Sequence, residues 1–106
     1  MMYKWCGIAK YTKRFPMPQI QATVHGQVQG VGYRYNTVQV AQNLGVTGFV
    51  RNLADGTVEI VAEGSDEQLN ALIDWAHRGP SGAQVTQVDV VKNADQSRFD
   101  RFTIER

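Results

Sequence analysis

The chain has 106 residues, 42% hydrophobic and 20% charged, with a formal net charge of +1. That length and balance fit one globular domain with a single core, and they argue against a disordered chain or a nucleic-acid protein built on a broad basic face. Cys6 is the sole cysteine, so no intrachain disulfide can form and a reducing, cytoplasmic setting is expected; no apolar run reaches the length of a membrane span.

Residues 1–18 mix aromatic and basic side chains without a period and close on Pro16-Met17-Pro18. They carry Lys4, Lys10, Lys13 and Arg14 but no continuous apolar segment, so they do not read as a secretory signal. Proline disfavours both helix and central strand, which sets a boundary near Pro18. Residues 1–18 are therefore read as an N-terminal extension, a candidate for disorder, and residues 19–106 as the domain.

Within the domain, Ile20, Ala22 and Val24 alternate with Gln21, Thr23 and His25, the pattern of a half-buried strand over Gln19–His25. Gly26-Gln27-Val28-Gln29-Gly30-Val31-Gly32 follows as a glycine-rich turn. Tyr33, Thr37, Val40, Ala41 and Leu44 keep helical spacing, and Gly45 stands where a left-handed C-terminal cap belongs. Val46–Asn52 and Thr57–Glu63 read as two strands joined by Leu53-Ala54-Asp55-Gly56, a tight turn that makes them an antiparallel hairpin.

Gly64 ends that hairpin. Ser65 and Gln68 have the spacing of a capping box, Asp66 and Glu67 suit a first helical turn, and Leu69, Leu72, Ile73 and Ala76 carry the apolar stripe to Gly79-Pro80. Val85–Val91 reads as a strand, Asn93–Arg98 as a polar loop, and Phe102 and Ile104 mark a short final strand. The order β-α-β-β-α-β predicts a ferredoxin-like two-layer α/β (α+β) sandwich, with an antiparallel sheet and both helices on one face. Gln21, Thr23, Glu59 and Glu63 are expected on a solvated sheet face.

The glycine turn carries the candidate chemistry. Backbone N–H groups in such a turn, together with a helix N-terminus, form a ready anion site. Arg34 lies just beyond, with a planar fork suited to phosphate oxygens. The plainer alternative is that the glycines only turn the chain and Arg34 only decorates a helix start. A cation in a first helical turn is disfavoured unless an anion meets it. Asn52, at the end of the second strand, can hold a water through its amide or can make a side-chain turn at the hairpin.

Other residues offer less. His25 and His77 have no Cys or acid at ligand spacing, so no metal site is expected. Cys6 has no visible basic partner, Asp55 suits the turn, and Trp75 is expected to pack at a helix rim.

Gly26-x-Val28-Gln29-Gly30-Val31-Gly32-Tyr33-Arg34, Thr37, Leu44-Gly45-Val46-x-Gly48-Phe49-Val50-Arg51-Asn52, Asp55-Gly56-x-Val58-Glu59 and Gly64 together resemble the acylphosphatase family, over residues 19–106. The stretch from Gly79 to Val85 and the terminal Phe102-x-Ile104 resemble bacterial members. The resemblance implies hydrolysis of the carboxyl–phosphate anhydride of a small acyl phosphate, with no metal, cofactor or phosphoenzyme. It implies that Gly26–Gly32 binds phosphate, or sulfate in its place, that Arg34 grips the phosphoryl group, that Asn52 orients the attacking water, and that Thr37 supports the site. Leu53, Gly32 and Phe49 depart from common family residues without removing a catalytic group.

A monomer without nucleic-acid or membrane partners is expected. The rival reading is a non-catalytic binding or regulatory module of the same fold, as found within larger carbamoyl-transfer maturation proteins. An RNA-binding module would need aromatics on the open sheet face, where Gln21, Thr23 and Glu59 stand instead.

Overall fold

The computed structural model describes residues 16–105. Most of the N-terminal extension, with Cys6, lies outside the described residues. The elements are β1 (Met17–Gln27), α1 (Tyr33–Leu44), β2 (Thr47–Asn52), β3 (Val58–Glu63), α2 (Asp66–Arg78), β4 (Gln84–Gln96) and β5 (Phe102–Glu105). β1 takes in Met17 and Pro18, since Met17 pairs with Gln96 and the Pro18 carbonyl accepts from the Gly64 N–H.

The strands form one sheet in the order β4-β1-β3-β2-β5. Alternation puts Ile20, Ala22 and Val24 of β1 and Val58, Ile60 and Ala62 of β3 into the core, where they meet Tyr33 and Ala41 of α1 and Leu69, Leu72 and Ala76 of α2. Both helix ends follow their local chemistry. Gly45 adopts φ 84° and donates to the Ala41 carbonyl. Ser65 and Gln68 complete a reciprocal capping box, with Gln68 N–H to Ser65 Oγ at 3.1 Å and Ser65 N–H to Gln68 Oε1 at 2.9 Å. Among the described residues no helix is long and apolar enough to cross a membrane.

Three expectations need correction. The sheet is mixed, because β5 pairs parallel to β2 while the other pairs are antiparallel. Strand direction explains this: β4 and β3 both run antiparallel to β1, so the chain that reverses after β4 returns in the direction of β2.

The polar stretch from Asn93 is not all loop, since β4 continues to Gln96. Asn93 and Gln96 stay in the strand because their side-chain amides both donate to the Gln19 side-chain carbonyl.

Glu59 and Glu63 are not solvated; they are 6% and 3% exposed. Gln21 and Arg51 close over the Glu59 carboxylate. Glu63 accepts from the Gln19 amide at 2.8 Å and from the backbone N–H groups of Arg98 and Phe99. It thereby pins the segment 97–101, which carries the chain from β4 to β5.

Candidate active site

The loop between β1 and α1 is shaped by two glycines in left-handed conformation, Gly30 at φ 78° and Gly32 at φ 79°. A side chain at either position would be strained. Gly32 is also the N-cap of α1 and supplies no side-chain cap, and the first turn holds no acid. The helix start therefore presents its unpaired N–H groups and its positive dipole end with no acid in its own first turn to meet them. Arg34 stands in that same turn. Asn36 holds the loop closed by donating from its backbone N–H and its side-chain amide to the Gly32 carbonyl, at 3.0 and 2.8 Å.

A cleft of about 140 Å³ opens at this point. Gly30, Gly32, Arg34 and Asn52 supply its polar lining, and Val28, Tyr33, Tyr35 and Ile104 its apolar lining. The two side chains singled out from the sequence, Arg34 at the start of α1 and Asn52 at the end of β2, thus meet in one cavity. The side-chain oxygen Oδ1 of Asn52 is buried and has no hydrogen-bond partner among the described residues. An unpaired buried acceptor costs stability, so this oxygen gains from any donor that a small rotation of the amide lets it meet.

Asn52 does not make the hairpin turn. Asp55 does, accepting at Oδ1 from the Thr57 N–H at 3.0 Å and from the Thr57 hydroxyl at 2.6 Å. These bonds hold the Asp55 carboxyl below the usual carboxylate range. The turn is locked to the glycine loop by Gln29, whose side-chain amide donates to the Leu53 carbonyl at 2.8 Å and to the Thr57 carbonyl at 2.9 Å. From sequence alone Gln29 is one more residue of the loop; the signal for its role is an amide in mid-loop, long enough to reach a neighbouring hairpin.

The remaining candidates divide. Gly26 and Gln27 are the last residues of β1 rather than part of the cleft. Gly26 is needed for strand packing at the irregularity where β1 and β4 shift register: a Cβ there would lie 2.0 Å from the Gln84 carbonyl oxygen. Val31 packs on the core without lining the cleft. Thr37 is fully buried and donates to the Tyr33 carbonyl at 2.8 Å, so it stiffens the first turns of α1 from beneath. Tyr33 forms part of the cleft wall; it donates to the Ala76 carbonyl at 2.7 Å, its ring meets Trp75 with centroids 5.2 Å apart, and burial pushes its phenol up. His25 pairs with Asp89 at 3.0 Å on the open face. Among the described residues no three His, Cys, Asp or Glu side chains come together.

The arrangement can bind a tetrahedral anion by backbone and guanidinium donors and hold a water on a carbonyl beside it. Known proteins are similar to the chain as a whole. The acylphosphatase family model matches residues 20–104. An acylphosphatase of Actinobacillus succinogenes is 48% identical, over 85% of this chain and 100% of its own. The crystal structure of acylphosphatase from Bacillus subtilis is similar at a TM-score of 0.82 and 34% identity, covering 85% of this chain and 100% of that one. The structure of Thermococcus kodakarensis HypF is similar at a TM-score of 0.74 and 28% identity, with 85% of this chain matching 12% of that much longer one.

Proposed function

The chain belongs to the acylphosphatase family, enzymes that hydrolyse the carboxyl–phosphate anhydride of acyl phosphates, and on that premise we propose how its cleft performs the reaction. The phosphoryl group sits on the N–H groups of the Gly30–Gly32 loop and the start of α1, with the Arg34 fork on its oxygens. Asn52 holds the attacking water through its Oδ1. The water oxygen bonds to phosphorus, the phosphorus–acyl oxygen bond breaks, and the carboxylate leaves. The water's proton ends on the phosphate product.

The leaving carboxylate is a weak base, so no general acid is required. A loose phosphoryl-transfer transition state asks mainly for charge neutralisation and placement. Each preorganised donor in such a site is worth about 10² to 10³ in rate. The observation that carries this reading is the buried, unpartnered Oδ1 of Asn52 in the same cleft as Arg34. Asn cannot take a proton near neutral pH, but it can orient a donor.

The proposed reaction is metal-independent, since the loop and Arg34 supply the positive charge that a metal would bring. We further take residues 19–106 as the catalytic unit, acting as a cytoplasmic monomer: one chain supplies the whole cleft lining, and a lone cysteine suits a reducing compartment. Release of inorganic phosphate from benzoyl or acetyl phosphate tests the reading. Turnover that survives in an Arg34→Ala, Asn52→Ala double variant would overturn it.

A further inference from the structure

The cleft has a polar half and an apolar half, and the phosphoryl chemistry uses only the first. Of the apolar lining, Val28 and Tyr33 are each 1% exposed and belong to the core whatever lies above them. Tyr35 and Ile104 differ, being 63% and 42% exposed. Among the described residues only four large hydrophobic side chains stand so exposed, and the other two, Val90 and Val91, are on edge strand β4. Two of the four therefore meet at one small cleft. They approach it from different layers: Tyr35 follows Arg34 in the first turn of α1, and Ile104 of β5 pairs with Val50, two residues before Asn52 on β2.

Exposed apolar surface at a cleft mouth is costly to hydrate and gains when an apolar group covers it. Resting on the reading of this cleft as the phosphoryl site, we propose that Tyr35 and Ile104 form the acyl subsite. They select acyl phosphates whose acyl group is aryl or branched alkyl over those with a short group such as acetyl. An acetyl group has one methyl to offer this surface, whereas a phenyl ring can lie on both side chains. The anhydride and the departing carboxylate are common to all such substrates, so the discrimination lies in contact with the acyl group and appears in kcat/KM.

The test compares benzoyl phosphate with acetyl phosphate for the unmodified protein, Tyr35→Ser and Ile104→Thr. Both positions are exposed, so the folded state tolerates the change, and the rise of Tm with inorganic phosphate verifies an intact cradle in each variant. The ratio of kcat/KM for benzoyl over acetyl phosphate is expected to fall about tenfold in each variant, the low end of what one lost methylene contact costs in an apolar pocket. An unchanged ratio, including an equal loss on both substrates, overturns the acyl subsite alone. Hydrolysis of neither substrate by the unmodified protein overturns the phosphoryl-site reading and the subsite with it.

Discussion

Gln29 donates from its side-chain amide to the Leu53 carbonyl at 2.8 Å, binding the glycine loop to the residue that follows Asn52. The same amide reaches the Thr57 carbonyl across the turn, so both arms of the hairpin hang from one loop side chain. The proposed cradle and the Asn52 amide proposed to hold the water lie on different elements, and this bridge ties those elements together. Gln29→Ala is expected to lower kcat on the order of tenfold, because a displacement of about 1 Å at a reacting centre can cost up to 10². The phosphate-induced rise in Tm should remain, since the cradle's donors are untouched. Gln29→Glu should be worse than alanine, as it sets a carboxylate against two carbonyls. Steady-state kinetics with phosphate-dependent melting checks both; a rise in KM alone would place Gln29 in binding instead.

Glu63→Ala should cost about 3 kcal/mol of folding stability. The substitution leaves the Gln19 amide and the Arg98 and Phe99 N–H groups without their acceptor, and each buried orphan costs about 1–3 kcal/mol before water relieves part of it. Urea unfolding measures the loss. A change below about 0.5 kcal/mol, the level of an ordinary surface site, would show that the segment 97–101 does not depend on this carboxylate.

That carboxylate also marks where sequence reasoning stopped. Alternation told which residues of β1 and β3 face the helices, and Ile20, Ala22, Val24, Val58, Ile60 and Ala62 are all buried there. Alternation says only that Glu59 and Glu63 face the other way. Whether that face is wet depends on partners such as Gln19, 44 residues from Glu63, which no local pattern reveals. The parallel pairing of β5 escaped for a similar reason, because it follows from the summed reversals of the chain. At the site, Arg34 and Asn52 were legible through residue type and motif. Gln29 was not, since its partners are backbone carbonyls that every sequence possesses.

The turn beneath Asn52 should show a pH signature. Hydrogen bonds from the Thr57 hydroxyl and N–H lower the Asp55 pKa below its usual 3.8, so the folded state favours the carboxylate. A depressed carboxyl contributes stability above its ordinary pKa and loses it as pH falls through the folded value. Asp55→Asn removes that contribution. Wild type and variant should therefore differ most in Tm near neutral pH and converge as pH falls below 3.8 and through the folded value. A constant Tm gap across that range would mean that the carboxylate's charge is irrelevant to the turn.

Metal removal should be without effect. In the proposed mechanism the N–H groups of the loop and the Arg34 guanidinium neutralise the phosphoryl oxygens, the role a divalent ion plays in other phosphoryl-transfer sites. Exhaustive dialysis against EDTA should leave kcat/KM for benzoyl phosphate unchanged. A loss restored by Mg²⁺ or Zn²⁺ would contradict that division of charge.

The sharpest prediction separates Arg34 from Asn52. In the proposed mechanism Arg34 meets the phosphoryl oxygens before and during transfer, so Arg34→Ala should weaken phosphate binding and remove most turnover. Arg34→Lys should recover little, because a point charge lacks the bidentate fork. In the proposed mechanism Asn52, whose Oδ1 is unpartnered, serves the water rather than the phosphate. Asn52→Ala should lower kcat by about 10² or more, the magnitude of a lost orienting group. Inorganic phosphate should still raise its Tm as in the wild type, since a ligand selective for the folded state stabilises it in proportion to binding. Asn52→Asp makes a stricter control: it keeps an acceptor for the water but sets a negative charge beside the phosphoryl group, so it should lose phosphate binding where alanine does not. Near-full turnover in Asn52→Ala, or an intact phosphate-dependent rise in Arg34→Ala, would reverse the two roles while leaving the family assignment as it stands.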